Sequence, residues 1–165
     1  MSDNNEIKGE KVLMLDGIQD PGNLGTIIRS SVAFNVDTII LGSNTVDLYN
    51  PKVVRATQGM LFHTNIINAD LKDVILELKA KEIPIYGTKV EYGEDVRNFP
   101  SKDKKRYGLV VGNEGAGVSD EVLDLCDKYI YIDMNECVES LNVSIATSII
   151  LYELNRWLNG ICFNR

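Results

Sequence analysis

A glycine-rich loop with a carboxylate in its middle is the first segment of this 165-residue chain that could bind a ligand. Gly112, Gly115 and Gly117 follow a predicted strand and precede a predicted helix, where a cofactor loop is expected. The spacing is GxxGxG rather than the GxGxxG of dinucleotide-binding folds, and no lysine follows where a phosphate-binding loop requires one. The carboxylate of Glu114 would repel a phosphate, so the loop favours a polar or cationic ligand. A tight turn without a ligand is the alternative interpretation.

A second polar segment, Asp20 to Arg29, begins a predicted helix. Gly25 lies inside that helix, where glycine costs about 1 kcal/mol relative to alanine. Its use there indicates a close backbone approach, either to a ligand or to another part of the chain. Arg29 follows one turn later on the same face. It is either a ligand-binding group or an ordinary surface arginine.

A third polar segment, Glu139 to Asn142, precedes the longest predicted helix. Ser140 or Asn142 could serve only as the N-cap, which satisfies free backbone N–H groups, or could belong to a site. Catalysis of the serine protease type is excluded. The single histidine, His63, has no evident acidic partner, and the GxSxG motif is missing.

Strands and helices alternate along the chain, and this order must position the three segments. A strand, a helix and a strand within about thirty residues form a βαβ unit, which implies a parallel sheet. We predict an α/β domain with a mostly parallel six-stranded sheet flanked by helices, preceded by a flexible lead-in over residues 1–11. The region from Glu91 to Lys105 is predicted as a charged surface connection. The predicted strands are Lys11–Asp16, Asp37–Leu41, His63–Ile67, Ile83–Thr88, Tyr107–Val111 and Tyr129–Met134. Helices are predicted from Leu24 to about Phe34, over Asn50–Gly59, around Leu71–Leu78, after the N-cap Ser119 to about Leu125, and from Asn142 to about Leu158.

The last of these helices is apolar over more than the stripe of roughly 100° that a helix on one side of a sheet requires. Such a helix is either buried on all sides within the domain or meets another chain with its outer face.

Composition excludes several classes of protein. No stretch reaches the ~18 apolar residues of a membrane span, and the polar N-terminus lacks the apolar segment of a secretory signal, so we expect a cytoplasmic protein. Three cysteines without a CxxC pair, and one histidine, give no basis for a zinc site, another metal site or a disulfide framework.

Asp and Glu number 24 against 17 Lys and Arg, for a net charge of −7. Because nucleic-acid binders are usually basic, binding to RNA would require a local basic patch, a second subunit or a further domain.

Taken together and in order, DPGNLGTIIRS, LVVGNEGAGVS and IDMNECVESLNVSIA resemble the three motifs of the SpoU (TrmH-like) RNA ribose 2′-O-methyltransferases of the SPOUT superfamily. The segment NPKVVRATQGMLFHT resembles their ribosomal-RNA branch. The resemblance runs from about Val12 to Leu154 and implies a catalytic domain over residues 12–165 with a C-terminal trefoil knot. Relatives with this pattern carry a small N-terminal RNA substrate-binding domain that this chain does not match. The chain is then either a catalytic domain cut from a longer protein, which we favour, or a minimal member that relies on another component to bind RNA.

The resemblance also implies S-adenosylmethionine as the cofactor and assigns residues to it. The implied cofactor-binding residues are Thr88, Gly112, Asn113, Glu114, Gly117, Ile132, Met134, Ser140, Leu141 and Asn142. The implied catalytic residues are Asn23, Arg29, Glu114, Ser140 and Asn142. This chain departs from the family pattern at two acidic residues of the segment Ile132–Leu141. The family usually has proline at the position of Asp133 and often has glycine near Glu136. These departures could alter cofactor affinity.

The role of the motif arginine is left open by the resemblance. Arg29 is either the base that deprotonates the ribose hydroxyl or, because a guanidinium has a pKa above 12, a clamp on a substrate phosphate. Asn23, Ser140 and Asn142 are expected to position the substrate by hydrogen bonds. Glu114 is expected to anchor either the loop or Arg29.

The function that the resemblance implies is S-adenosylmethionine-dependent methylation of a ribose 2′-hydroxyl in structured RNA, with 23S ribosomal RNA favoured. The family works as a homodimer in which both chains contribute to each site. The alternatives are a tRNA ribose methyltransferase, a non-catalytic knotted RNA-binding or assembly dimer, and a Rossmann-like nucleotide binder, which the glycine spacing disfavours.

Overall fold

Short runs of aliphatic and β-branched residues form the strands of one sheet in the computed structural model, which describes residues 5–156. The two central strands, β1 and β6, are buried along nearly their whole length, as expected for parallel strands covered on both faces. The strands are β1 (Lys11–Asp16), β2 (Thr38–Leu41), β3 (Asn65–Asn68), β4 (Ile85–Thr88), β5 (Glu94–Asp95), β6 (Tyr107–Gly112) and β7 (Lys128–Tyr131). They lie in the order β3-β2-β1-β6-β4-β7-β5, and all strand pairs are parallel.

The predicted α/β class and parallel sheet are confirmed, but the predicted count of six strands is wrong. The seventh strand, β5, has two residues, both acidic, and lies in the region predicted as a surface connection. It pairs with β7 at the sheet edge, where Glu94 lies beside Ile130 and Asp95 beside Tyr131. A two-residue charged strand has no apolar alternation, which is why its sequence does not indicate it.

Helices cover the sheet on both faces. They are α1 (Pro21–Ala33), α2 (Pro51–Ala56), α3 (Leu71–Ala80), α4 (Asp120–Leu123) and α5 (Val143–Asn155), with 3₁₀ turns at Met60–Phe62, Val96–Asn98 and Ser101–Lys104. Buried residues of α1, α2 and α5 form one apolar cluster with one set of strand side chains, and those of α3 and α4 form another with the alternate set. No helix within residues 5–156 has the length and apolar character needed to span a membrane.

Several predicted boundaries shift by a few residues. His63 lies in the bend before β3 rather than in a strand. Ser119 precedes α4, but its side chain makes no capping bond. Instead its backbone N–H donates to the carboxylate of Asp16 at 2.8 Å. The predicted end of the last helix at Leu158 lies outside the described residues.

The described part of the predicted lead-in contacts the sheet. Ile7 is buried against the α3 side of the core. The backbone of Lys8 exchanges two hydrogen bonds with the hydroxyl of Thr38, and Asp37 accepts from the N–H groups of Glu10 and Lys11. These contacts fix residues 7–11 beside β2.

Candidate active site

The three polar segments meet at one edge of the sheet. They follow the carboxyl ends of β1, β6 and β7. β1 is paired with β6, and β4 lies between β6 and β7. Loops at the carboxyl ends of parallel strands are the usual place for ligand sites in open α/β sheets.

A cavity of about 430 Å³ lies at this edge, within the range of small-molecule sites. Its walls come from the loops after β4, β6 and β7 and from the inner face of α5. Nine of the ten predicted cofactor-binding residues line it, all except Asn142: Thr88, Gly112, Asn113, Glu114, Gly117, Ile132, Met134, Ser140 and Leu141. Their role in holding a cofactor stays a prediction.

The α5 wall of the cavity was not predicted. Val143, Ala146, Thr147 and Ile150 line it at i, i+3, i+4 and i+7. That spacing places four side chains on one face of a helix, and it is the sequence feature that could have indicated this wall of the cavity.

The loop after β6 is closed by its own residues. The side-chain oxygen of Asn113 accepts from the N–H groups of Gly115 and Ala116 at 2.9 and 3.0 Å, and its amide nitrogen donates to the carbonyl of Gly17 at 2.8 Å. Gly117 has φ +71°, and a Cβ on Gly112 would lie 2.1 Å from the Gly117 carbonyl carbon. These two glycines are therefore required by the tight turn itself, and the same loop lines the cavity.

Glu114 joins this loop to the start of α1. Its carboxylate accepts from the backbone N–H of Gln19 at 3.2 Å, from that of Asp20 at 3.0 Å and from the amide of Asn23 at 3.3 Å. Burial raises the pKa of Glu114, but the hydrogen bonds from Asp20, from its own N–H, from Asn23 and from Gln19 outweigh it and lower the pKa overall. Glu114 is thus held ionised as a structural anchor.

Asn142 extends the connection to α5. Its side-chain oxygen caps the helix by accepting from the N–H groups of Ser144 and Ile145, and its amide nitrogen donates to the Asn23 side-chain oxygen at 3.0 Å. The helix-cap interpretation of this residue is therefore confirmed. Its role in a site stays a prediction. Glu114, Asn23 and Asn142 form one hydrogen-bonded chain, here called the amide chain, that links all three polar segments.

Ion pairs of Arg97, a residue outside the predicted site, hold the start of the loop after β7. Arg97, in the turn after β5, donates to Asp95 at 2.6 Å and to Asp133 at 3.2 Å. Hydrogen bonding from Arg97 lowers the pKa of Asp95, whose side chain is 8% exposed. Asp133 lies between the cavity residues Ile132 and Met134, so Arg97 ties the cavity wall to the sheet edge. The two partners are 36 residues apart, and no local pattern could have indicated the contact.

Comparison with known proteins agrees with this geometry. The model of the SpoU rRNA Methylase family matches residues 10–152, which include all three polar segments. The chain belongs to the SpoU rRNA Methylase family.

Relatives of this SpoU domain are longer proteins. The chain is 40% identical over 144 residues to the 23S rRNA (guanosine(2553)-2'-O)-methyltransferase RlmP of Bacillus subtilis, covering 87% of this chain and 57% of that protein. The AdoMet-bound rRNA methyltransferase of Sinorhizobium meliloti superposes with a TM-score of 0.83 at 34% identity, covering 92% of this chain and 57% of that one. The SpoU methyltransferase AviRb of Streptomyces viridochromogenes, in complex with AdoMet, has a TM-score of 0.80 at 32% identity and covers 90% and 61%. The chain thus spans about three fifths of the length of these relatives.

Two of the five predicted catalytic residues of this SpoU domain stand apart from the amide chain. Ser140 is exposed and lines the cavity. Arg29 is exposed on α1 and does not line the cavity, and its side chain makes no hydrogen bond or ion pair with any residue between 5 and 156. Within one chain Glu114 therefore anchors the loop before α1 rather than Arg29. In the same described range, no group of three or more His, Cys, Asp or Glu residues is placed to hold a metal ion.

Proposed function

We propose that this domain transfers a methyl group from S-adenosylmethionine to a ribose 2′-hydroxyl of 23S ribosomal RNA. The observation that carries the proposal is the amide chain at the rim of the cavity, because it couples a small-molecule pocket to polar groups able to orient a hydroxyl. The names of the relatives, an rRNA 2′-O-methyltransferase and two AdoMet complexes, support the same activity. A ribosomal substrate would place the protein in the cytoplasm.

The cavity suits S-adenosylmethionine in size and chemistry. Its apolar walls, including Ile132 and Leu141, fit an adenine ring, and the main chain of Gly112, Ile132, Met134 and Leu141 would hold the adenine and ribose by hydrogen bonds. The acidic residues Glu114 and Glu139 are among those that line the same space, and their charge favours a cationic ligand over a polyphosphate. When bound, the cofactor supplies a methyl group on a positively charged sulfur.

The chain's own residues would orient the attacking hydroxyl. One N–H of the Asn23 amide donates to Glu114 and one N–H of the Asn142 amide donates to Asn23, so each amide keeps a second N–H for the ribose. Fixing the hydroxyl in line with the methyl group can lower the barrier by several kcal/mol. Glu114 is a poor base, because its pKa is lowered and its oxygens accept three donors. Arg29 is better suited to hold a substrate phosphate than to remove a proton, so the hydroxyl proton would pass to that phosphate or to water as the methyl–sulfur bond breaks.

A homodimer is part of this proposal. Ile145, Ile149 and Tyr152 lie at i, i+4 and i+7 on α5 and are 52%, 37% and 50% exposed, while the opposite face of the helix is buried. The interpretation of α5 as wholly interior is therefore wrong, and the outward apolar stripe favours contact with a second copy. Such contact, next to α1, would let Arg29 reach the partner's cavity and would explain why it lies outside its own.

The test is methyl transfer from tritiated S-adenosylmethionine to unmodified 23S transcript, with unmodified tRNA as the comparison substrate. We expect transfer to the ribosomal transcript, loss of transfer in Arg29→Ala, and unchanged cofactor binding by calorimetry in that variant. Arg106→Ala, at the opposite edge of the sheet, is the control. Transfer only to tRNA would refute the substrate, and full transfer by Arg29→Ala would refute the role of that residue. Failure of the wild-type chain to bind the cofactor would refute the activity.

A further inference from the structure

The negative charge of this domain is unevenly distributed. Residues 21–36 and 48–69 contain no Asp or Glu, although 24 of the 165 residues are acidic. The basic residues in these two stretches are Arg29, Lys52 and Arg55. A local basic region without carboxylates is one way in which an acidic protein can bind RNA.

The fold brings the two acid-free stretches together beside the candidate site. α2 packs on the first turns of α1, and a Cβ on Gly25 would lie 2.2 Å from the Cβ of Ala56. The close approach that Gly25 indicates is therefore to α2. Gly25 is two residues from Asn23 of the amide chain and one turn before Arg29, so α2 flanks both.

The basic side chains on this face are exposed and free of ion pairs. Arg29, Lys52 and Arg55 form no salt bridge to a carboxylate in residues 5–156. Elsewhere in that range, the basic side chains that do form one include Lys72, Lys79, Lys81, Lys89, Arg97, Arg106, Lys128 and Arg156. The two carboxylates that border the face, Asp20 and Asp47, accept backbone N–H groups instead. Three unpaired cations in an acid-free region match the charge of a phosphate backbone.

An exposed aromatic ring completes the surface. Tyr49, immediately before the N-cap of α2, is 73% exposed. Exposed rings next to basic residues stack on unpaired bases, whereas duplex RNA presents its backbone and 2′-hydroxyls rather than its base faces. We propose that Arg29, Tyr49, Lys52 and Arg55, here called the α1–α2 face, hold an unpaired RNA segment leading into the methylation site. This inference rests on the proposed function for its RNA partner.

The test is direct binding of the full chain to a fluorescein-labelled single-stranded RNA 12-mer, measured by anisotropy over a salt series. Lys52→Ala/Arg55→Ala is expected to weaken binding and to reduce the slope of log K against log salt by about 1.4, since each phosphate contact on single strands contributes about 0.7. Tyr49→Ala is expected to raise Kd about 5-fold or more. The same strand annealed into a duplex is expected to bind more weakly than the single strand.

Two control variants match these changes. Lys79→Ala/Lys81→Ala removes the same charge from the last turn and the C-cap of α3, on the other face of the sheet. Phe62→Ala removes a ring that is 80% exposed near the amino ends of β2 and β3. Both are expected to bind as wild type. Equal effects of test and control variants, or equal binding of the duplex, would overturn the inference. So would a change of oligomeric state in Lys52→Ala/Arg55→Ala, since the face would then be an interface between copies. Binding does not depend on turnover, so these results stand apart from the methyl-transfer test.

Discussion

Glu114→Gln tests whether the carboxylate, rather than the shape of the side chain, joins the loop after β6 to the start of α1. Glutamine can still accept from the N–H groups of Gln19 and Asp20 through one oxygen, but it removes the charge. Hydrogen bonds to charged groups contribute about 1.5–3 kcal/mol and neutral ones about 0.5–1.5 kcal/mol. Because Glu114 is exposed, we take the low end and expect the free energy of unfolding to fall by about 1 kcal/mol at neutral pH.

The pH dependence of that loss is the sharper test. The folded-state pKa of Glu114 lies below its ordinary value of 4.5, so the stabilisation is fully present above 4.5 and is lost as pH falls through the lowered value. Urea unfolding should therefore show a constant difference between wild type and Glu114→Gln from neutral pH down to about 5, shrinking at lower pH. Glu136→Gln makes the same change at an exposed position and should differ little from wild type at any pH. A difference that persists unchanged in acid would refute the electrostatic reasoning.

Three further changes probe the turn, the loop and the proposed dimer. Gly112→Ala places a Cβ 2.1 Å from backbone and should lower the melting temperature by several degrees, whereas Gly115→Ala, with its nearest contact at 3.6 Å, should melt as wild type. Asp133→Asn weakens the contact with Arg97 and should raise the Kd for S-adenosylmethionine by up to about 5-fold in low salt and by less in high salt, measured by calorimetry; no salt dependence would contradict it. Ile149→Asp should convert a dimer to a monomer in sedimentation velocity at micromolar concentration, and an unchanged profile would exclude the α5 stripe as the interface.

The elements that periodicity predicts are those with a strong local signal. β1 matches its predicted bounds, and the spacing of Leu71, Val74, Ile75 and Leu78 gave α3 correctly because these four side chains face one core cluster. β5 carries no such signal, since its residues are charged and its pairing with β7 comes from a strand more than thirty residues away. Sheet order is likewise non-local. Nothing in the sequence of β6 shows that it lies between β1 and β4.

The candidate site likewise has a part that the sequence predicts and a part that it does not. The three polar segments could be found from residue types at strand ends, because the carboxyl edge of a parallel sheet collects them. Their partners could not. Whether Glu114 contacts the start of α1 or Arg29 depends on an interaction between residues far apart in the sequence, since Glu114 and Asn23 are separated by 91 residues. The contact between Asn142 and Asn23 joins residues 119 apart. For Arg29, neither the sequence nor residues 5–156 of a single chain give a partner.

Helix capping explains how this domain positions polar groups without a large buried network. The N-terminus of a helix leaves N–H groups that need acceptors, so Asp20 and Asn142 are held in place by the helices that they cap. Asn142 uses its oxygen for α5 and therefore presents its amide nitrogen toward Asn23 in a fixed direction. Asn23 in turn is oriented by Glu114, whose other acceptor bonds hold the loop before α1. Because each contact fixes the next, a displacement of the loop after β6 must also change the orientation of both amides. Cofactor affinity and hydroxyl positioning should consequently respond together to changes at Glu114, whereas changes at Tyr49, Lys52 and Arg55 should alter RNA binding without altering cofactor affinity.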